Sequence, residues 1–449
     1  MSAQPIEIYA DLAFRVLDSN RNWTRDKKIE VLEELFRRAE EAKGEFKRKQ
    51  HEGATDSPSG LESMVADQKL DGHSIKLRVI EKMIEIDPLR ARQMFDEVSS
   101  KPLKTLDCSD ELDYDPELHF LVLRRIANGT FGQEEKDNHQ HISYISSKLD
   151  ELSSPSELRP ALELVLSFSN SKNEFEALLD SLARSFKTIR SDPAGFHYSI
   201  RYGRVIDVVA DRLIPRIESN GMLVENFAKP FGTYLVKNFT GTRCANRQFD
   251  KTETERLITR LNEQTNLRIN NEELKPEKIE SAESGPSYWR SQRSKEMLAG
   301  VKKLRFGDGR TQLDETTKLR QEWLQELQGF LEKMRSWRPE DEQSSDAFIH
   351  QKCIIYLSLI DVVPAGQTYF EVLTQFTIFL RESAVVRESP ATALMYSKDI
   401  LRLARKLEGR NRLEFERILE STGDDLFGLQ LQIQKLSSKV PETVERSDS

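Results

Sequence analysis

Cysteine is nearly absent: the 449 residues hold three, Cys108, Cys244 and Cys353. They are odd in number, far apart and in no paired spacing, which speaks against a disulfide framework or a zinc knuckle. Cys353 sits in Cys353-Ile354-Ile355-Tyr356-Leu357 and reads as a small buried hydrophobe. Glycine (20) and proline (16) are too scarce for a loop-rich β-protein or a low-complexity chain. No run approaches the ~20 apolar residues that a membrane-spanning helix needs. Neither sign of charge dominates: 67 basic against 75 acidic residues leave −8, so no global field steers the chain onto nucleic acid.

Chemical motifs are missing as well. There is no Gly-x-x-x-x-Gly-Lys phosphate loop, no Gly-x-Gly-x-x-Gly after a strand and no Gly-x-Ser-x-Gly elbow. His51-Glu52 lacks the second histidine of a His-Glu-x-x-His zinc site. Asp424-Asp425-Leu426-Phe427-Gly428 lacks the third acid of the magnesium motif of terpene-cyclase-like helical enzymes. His139-Gln140-His141, near Glu134, Glu135 and Asp137, is the best metal candidate. Imidazoles two positions apart diverge by about 200° on a helix, so the pair reads as a polar helix start unless it lies in a loop. Asp107, Asp110, Glu111, Asp113 and Asp115 form an acidic cluster without the glycine a calcium loop needs, and read as a solvated connector. Three triplets match the glycosylation acceptor: Asn22-Trp23-Thr24, Asn128-Gly129-Thr130 and Asn238-Phe239-Thr240. That number is what chance delivers in a chain of this length.

What is present is helical period. Ile29, Leu32, Phe36 and Ala39 share one helix face, as do Phe175, Leu178, Leu179, Leu182 and Phe186. So do Leu324, Leu327, Leu331 and Met334, with Trp323 and Phe330 widening the stripe, and Tyr369, Leu373, Phe376 and Leu380. Leu162–Phe168 alternates as a strand would, but Ser154-Pro155-Ser156-Glu157 before it is a capping box, so it reads as helix. Asp87-Pro88, Asp115-Pro116, Ser154-Pro155, Asp192-Pro193 and Ser389-Pro390 each place a capping oxygen before a proline and mark a helix start. Those at 115, 154 and 192 are spaced as helix pairs. The helix from Ile354 to Val363 is apolar nearly all round and must be enclosed, with the Trp323–Met334 and Tyr369–Leu380 helices as neighbours.

These patterns predict an all-α protein of antiparallel helical hairpins stacked as an irregular α-solenoid of two lobes. The boundaries are an N-terminal array over 1–267, a linker over 268–286, a C-terminal lobe over 287–436 and a disordered tail over 437–449. Further loops fall at His51–Gly60 and Ser99–Asp115. The segment Ile75 to Phe95, a helix ending at Asp87-Pro88 with Ala91 just inside the next, resembles a tetratricopeptide unit without that family's aromatic and glycine positions. Trp323, Phe330-Leu331, Trp337, Pro339-Glu340-Asp341, His350-Gln351-Lys352-Cys353, Pro364 and Ser389-Pro390 resemble the C-terminal part of an uncharacterised group of bacterial helical proteins, some of them exported. That resemblance implies no activity.

The functional expectation is therefore a non-enzymatic helical-repeat protein that binds a protein or peptide, with no catalytic residue, cofactor or metal assigned. Two alternatives stand beside it. One is a hydrolase-like helical enzyme with two carboxylates across a cleft. The other is nucleic-acid binding through 287–310, where Tyr288 and Trp289 precede Arg290, Arg293, Lys295, Lys302, Lys303, Arg305 and Arg310. Met1-Ser2-Ala3-Gln4-Pro5 has no basic or apolar segment and reads as cytoplasmic. Ser2-Ala3-Gln4 also resembles residues left after signal cleavage, and an upstream start would make the protein exported.

Overall fold

Five helices begin where a capping side chain precedes proline. Asp115 accepts from the Leu118 amide at 3.1 Å, Asp192 from Gly195 at 2.8 Å, Ser389 from Thr392 at 3.3 Å and Asp87 from Arg90 at 3.1 Å. At Ser154 the Glu157 carboxylate reaches back to the Ser154 amide at 2.9 Å, closing the box. Each contact satisfies an N–H that has no partner inside its own helix.

The computed structural model describes residues 5–19, 23–42, 64–99, 106–108, 112, 114–202, 204–244, 251–265, 267–270, 274–280, 291–306, 318–339 and 345–420. The His51–Gly60 loop, the Asp424-Asp425 pair and the tail over 437–449 lie outside them. The described chain is all-α apart from one small sheet. The first helices are α1 (Ile6–Ser19), α2 (Arg25–Arg38), α3 (Gly72–Ile84), α4 (Pro88–Ser99), α5 (Pro116–Gly129), α6 (Gln133–Asp137) and α7 (Gln140–Asp150). Then come α8 (Leu158–Ser167), α9 (Lys172–Ser185), α10 (Pro193–His197), α11 (Val205–Val208), α12 (Ile214–Ser219), α13 (Val224–Thr240) and α14 (Lys251–Thr265). The last are α15 (Gln292–Phe306), α16 (Lys318–Ser336), α17 (Ser345–Ile360), α18 (Gln367–Glu382), α19 (Ala384–Glu388), α20 (Pro390–Ala404) and α21 (Gly409–Glu420). Tyr198–Tyr202 and Val209–Leu213 are π-helical turns. Pro215, just after the second, has no N–H to donate back, which favours the locally widened ladder.

Buried apolar side chains form two large clusters. One is built from α1 to α14 and holds Phe95, Phe175, Phe227, Phe231 and Phe239. The other is built from α15 to α21 and holds Trp323, Trp337, Tyr356, Phe376 and Phe415. α3 packs on α2, α4 and α5; α7 packs on α9; and α9 packs on α13. The enclosed helix α17 packs on α15, α18 and α19. It meets the end of α16 through Trp337, whose ring lies 5.3 Å from that of Phe348. One contact departs from a linear stack: α1 packs on α20. There Lys398 lies 3.4 Å from Asp11 and donates to Gln68 at 2.8 Å, and Leu394 of α20 belongs to the first cluster.

Two features differ from the sequence reading. Cys108 and Cys244 form a disulfide, with Cα atoms 5.2 Å apart across 136 residues of sequence. The odd count misled because the third cysteine, Cys353, is free and buried, which leaves an even pair. The stretch read as a linker, 268–286, contains β2 (Lys278–Glu280), which pairs in parallel with β1 (Thr242–Cys244). The parallel pair needs a long crossover, and α14 supplies it. Ile269 is also tied down, its amide donating to Asn262 at 3.0 Å, and Leu274 is buried.

Gly72 shows how closely the N-terminal elements approach. A Cβ there would lie 2.6 Å from the backbone oxygen of Ala39. Backbone cannot yield as a side-chain tip does. Gly72→Ala is expected to cost about 1–3 kcal/mol, read as a lower urea midpoint with an unchanged slope.

Candidate functional site

The histidine pair comes together at the start of α7, with His139 just before the helix and His141 in its first turn. His139 has φ 54°, in the left-handed region immediately before α7. That turn brings His139 Nδ1 to 3.4 Å and His141 Nε2 to 3.5 Å from the same Glu174 oxygen. Among the described residues no group of three or more His, Cys, Asp or Glu side chains has a geometry that could hold a metal ion. Burial pushes the His141 imidazole below its usual range, against the opposing pull of Glu174.

The other candidates are dispersed. Of the acidic cluster, Asp110, Glu111 and Asp113 lie outside the described residues, while Asp115 is occupied as the cap of α5. Of the basic stretch, Tyr288, Trp289, Arg290 and Arg310 lie outside. Within α15, Lys303 pairs with Glu326 at 3.1 Å and Arg293 with Glu296 at 3.6 Å. A cleft of about 430 Å³ between α5 and α8 does bring two carboxylates together, Glu117 and Glu163. Glu163 is bound to Arg212, and Glu117 accepts from the Tyr198 hydroxyl at 3.3 Å. Of the glycosylation triplets, Asn22 lies outside the described residues and Asn128 is exposed on α5. Asn238 is buried and donates to the Tyr234 carbonyl at 2.9 Å, so the folded chain cannot accept a glycan there.

The arrangement with the most chemical content is a groove of about 760 Å³ where α16 ends against α17 and α18. Its walls are apolar and aromatic: Trp337, Phe348, Tyr356, Ile378 and Phe379. Ile378 is 43% exposed, less than Leu223, Leu413, Leu89 or Ile279, and opens this apolar lining to solvent. Three cations line it, Arg335, Arg338 and Lys352, against one acid, Glu382. The groove is thus locally positive in a chain whose net charge is −8.

Lys352 is the centre of this site. It is 4% exposed and donates to the Trp337 carbonyl at 3.3 Å. Its ammonium lies 5.4 Å from the Phe348 ring and 4.9 Å from the Phe379 ring, which stabilise a cation through their π-faces. Burial pushes its pKa down to about 8; Arg338 adds to the shift, and Cys353 and Glu382 oppose it. Arg338 donates to the Arg335 carbonyl at 2.6 Å and the Trp337 carbonyl at 3.2 Å. Both cations therefore sit on the carbonyl-rich end of α16, where the helix dipole favours positive charge. Among the described residues the Trp337 indole N–H and Gln375 Oε1 of this lining have no hydrogen-bond partner, and both atoms are closed to solvent.

No family model, curated protein or solved structure matches the chain. The site rests on its own geometry. Sequence reasoning missed it because the groove residues of α18, Gln375, Ile378, Phe379 and Glu382, lie beside the Tyr369–Leu380 stripe rather than on it. One signal was available: Ile378 and Phe379 fall out of phase with that stripe, so α18 has apolar side chains beyond the face it buries.

Proposed function

We propose that the protein is a non-enzymatic helical binding protein that docks a segment of another protein in the groove around Lys352. The observation that carries this reading is a locally positive groove with an apolar lining that opens at Ile378. Ile378 is exposed, and three cations line the groove against one acid. Trp337, Pro339 and Lys352, among the residues that resemble bacterial helical proteins, also line this groove. In this reading the helices form an irregular α-solenoid of two lobes, 1–267 and 287–436. The separate hydrophobic clusters support that division.

The same reading places the protein where thiols are oxidised, because disulfides persist in exported and periplasmic settings and are rare in a reducing cytosol. The Cys108–Cys244 bond supports it. The hydrolase alternative is favoured by Glu117 and Glu163 sharing a cleft, but both carboxylates already have partners.

The test compares native-host capture on the wild type and on Ile378→Asp. Ile378 is exposed, so the substitution leaves the fold intact, checked by circular dichroism. A stoichiometric partner held by the wild type and lost from Ile378→Asp is expected. Equal recovery by both proteins would remove the groove from the interface.

A further inference from the structure

A lysine side chain is almost never buried unless a carboxylate neutralises it. Three partly buried lysines of this chain follow that rule. Lys76 pairs with Glu40 at 2.9 Å, Lys148 with Asp96 at 3.0 Å and Lys398 with Asp11 at 3.4 Å. Lys352 departs from it. It is the one buried lysine among the described residues, and none of their carboxylates forms an ion pair with it. What shelters it is the Trp337 carbonyl and two aromatic rings, those of Phe348 and Phe379.

Such surroundings favour the uncharged amine. Burial first, and Arg338 after it, push the pKa down to about 8, against Cys353 and Glu382. The neutral amine can keep its hydrogen bond to the Trp337 carbonyl through one N–H while its nitrogen gains a free lone pair. Desolvation and a neighbouring cation are the two conditions that turn a lysine into a nucleophile toward carbonyl groups. Lys352 also lines a groove rather than a sealed core, so a small molecule that enters the groove meets it.

We propose that Lys352 captures an aldehyde or ketone with an apolar body, as an imine. The amine nitrogen adds to the carbonyl carbon and its proton passes to the carbonyl oxygen. The resulting carbinolamine loses water and leaves a C=N bond. No oxidant or reductant takes part, and hydrolysis reverses the step. Phe348, Ile378 and Phe379 form the apolar wall against which the body packs. This activity goes beyond docking of a protein segment and does not depend on it, since it needs only the amine and that wall.

The full chain is treated with benzaldehyde, or with the polar glyceraldehyde, in the presence of cyanoborohydride, which reduces an imine to a stable secondary amine. Peptide mapping then reads the rate at each lysine. At pH 7.5 benzaldehyde is expected to label Lys352 about tenfold or more faster than the exposed lysines, because far more of it is uncharged. Glyceraldehyde should show a several-fold smaller preference. Ile378→Asp should slow benzaldehyde at Lys352 several-fold and leave the exposed lysines unchanged. Lys352→Arg, which keeps the positive charge, should lose the fast-labelled peptide alone, with circular dichroism checking its fold. Labelling of Lys352 in the folded wild type no faster than that of exposed lysines would overturn the proposal. It would leave segment docking to be decided by the capture experiment. Equal preference for the two aldehydes would overturn the apolar class of ligand.

Discussion

Opening the Cys108–Cys244 bond is expected to lower the thermal midpoint by about 10 °C. The bond closes a loop spanning 136 positions, which takes in α5 to α13 and so the greater part of the first hydrophobic cluster. In the chain-entropy account, a cross-link over that length removes about 5 kcal/mol of disorder from the unfolded state. That is comparable with the whole stability of many domains, about 5–15 kcal/mol. The folded side of the balance depends on the bond locally too. It joins the segment at Cys108 to β1, and Leu106 and Leu112, close to Cys108 in sequence, cluster with Ala66, Ala194 and Tyr198. The Cys108→Ser, Cys244→Ser double variant should melt lower than the oxidised wild type and lose all response to dithiothreitol. Cys353→Ala should keep that response. Thiol titration of the unfolded, unreduced protein should find one reactive cysteine, Cys353. Three reactive thiols, or a midpoint indifferent to reductant, would show that the bond does not brace the fold.

Acid should destabilise the protein well before its carboxylates titrate. Burial pushes His119 down to about 3, with His73 and Lys148 adding to the shift. Burial also pushes His350, which shares a hydrogen bond of 3.1 Å with the Tyr396 hydroxyl, down to about 4. Above pH ~6.5 these imidazoles are neutral in both states and impose no pH dependence. Below it the unfolded chain takes up protons that the folded chain refuses. Stability therefore falls by about 1.4 kcal/mol per pH unit for each histidine. Between pH 6.5 and 5 the two together should remove about 3 kcal/mol, with His141 adding in the same direction. Asp71, whose carboxyl is raised chiefly by burial, works in the opposite sense at lower pH, because its folded form accepts a proton first. Urea midpoints from pH 7.5 to 5 measure the slope. His119→Phe, a ring of similar size among Phe95, Phe120 and Tyr114, should flatten it by about half. An unchanged slope in that variant would mean that His119 titrates normally.

The parts of this molecule legible in its sequence are those set by neighbours a few positions apart. Asp115, Asp192 and Ser389 cap helices because their acceptors reach an amide three residues on, whatever the rest of the chain does. Ser154 and Glu157 close their box for the same reason. The brief alternation at Leu162–Phe168 yielded to that local signal, and α8 is helical. The histidine pair was half legible. Its spacing was visible, but the left-handed turn at His139 that lets both rings reach Glu174 was not.

The sequence alone determined that this chain winds into helices and where many of them begin, because period and capping act over a single turn. Only the tertiary structure decided that Cys108 meets Cys244, that a stretch read as linker supplies a strand, and that α1 rests on α20. The Lys352 groove belongs to the same class, since it gathers side chains from the end of α16, the middle of α17 and the last turns of α18. Such meetings depend on how buried faces stack, and that stacking is a property of many residues at once rather than of any local pattern.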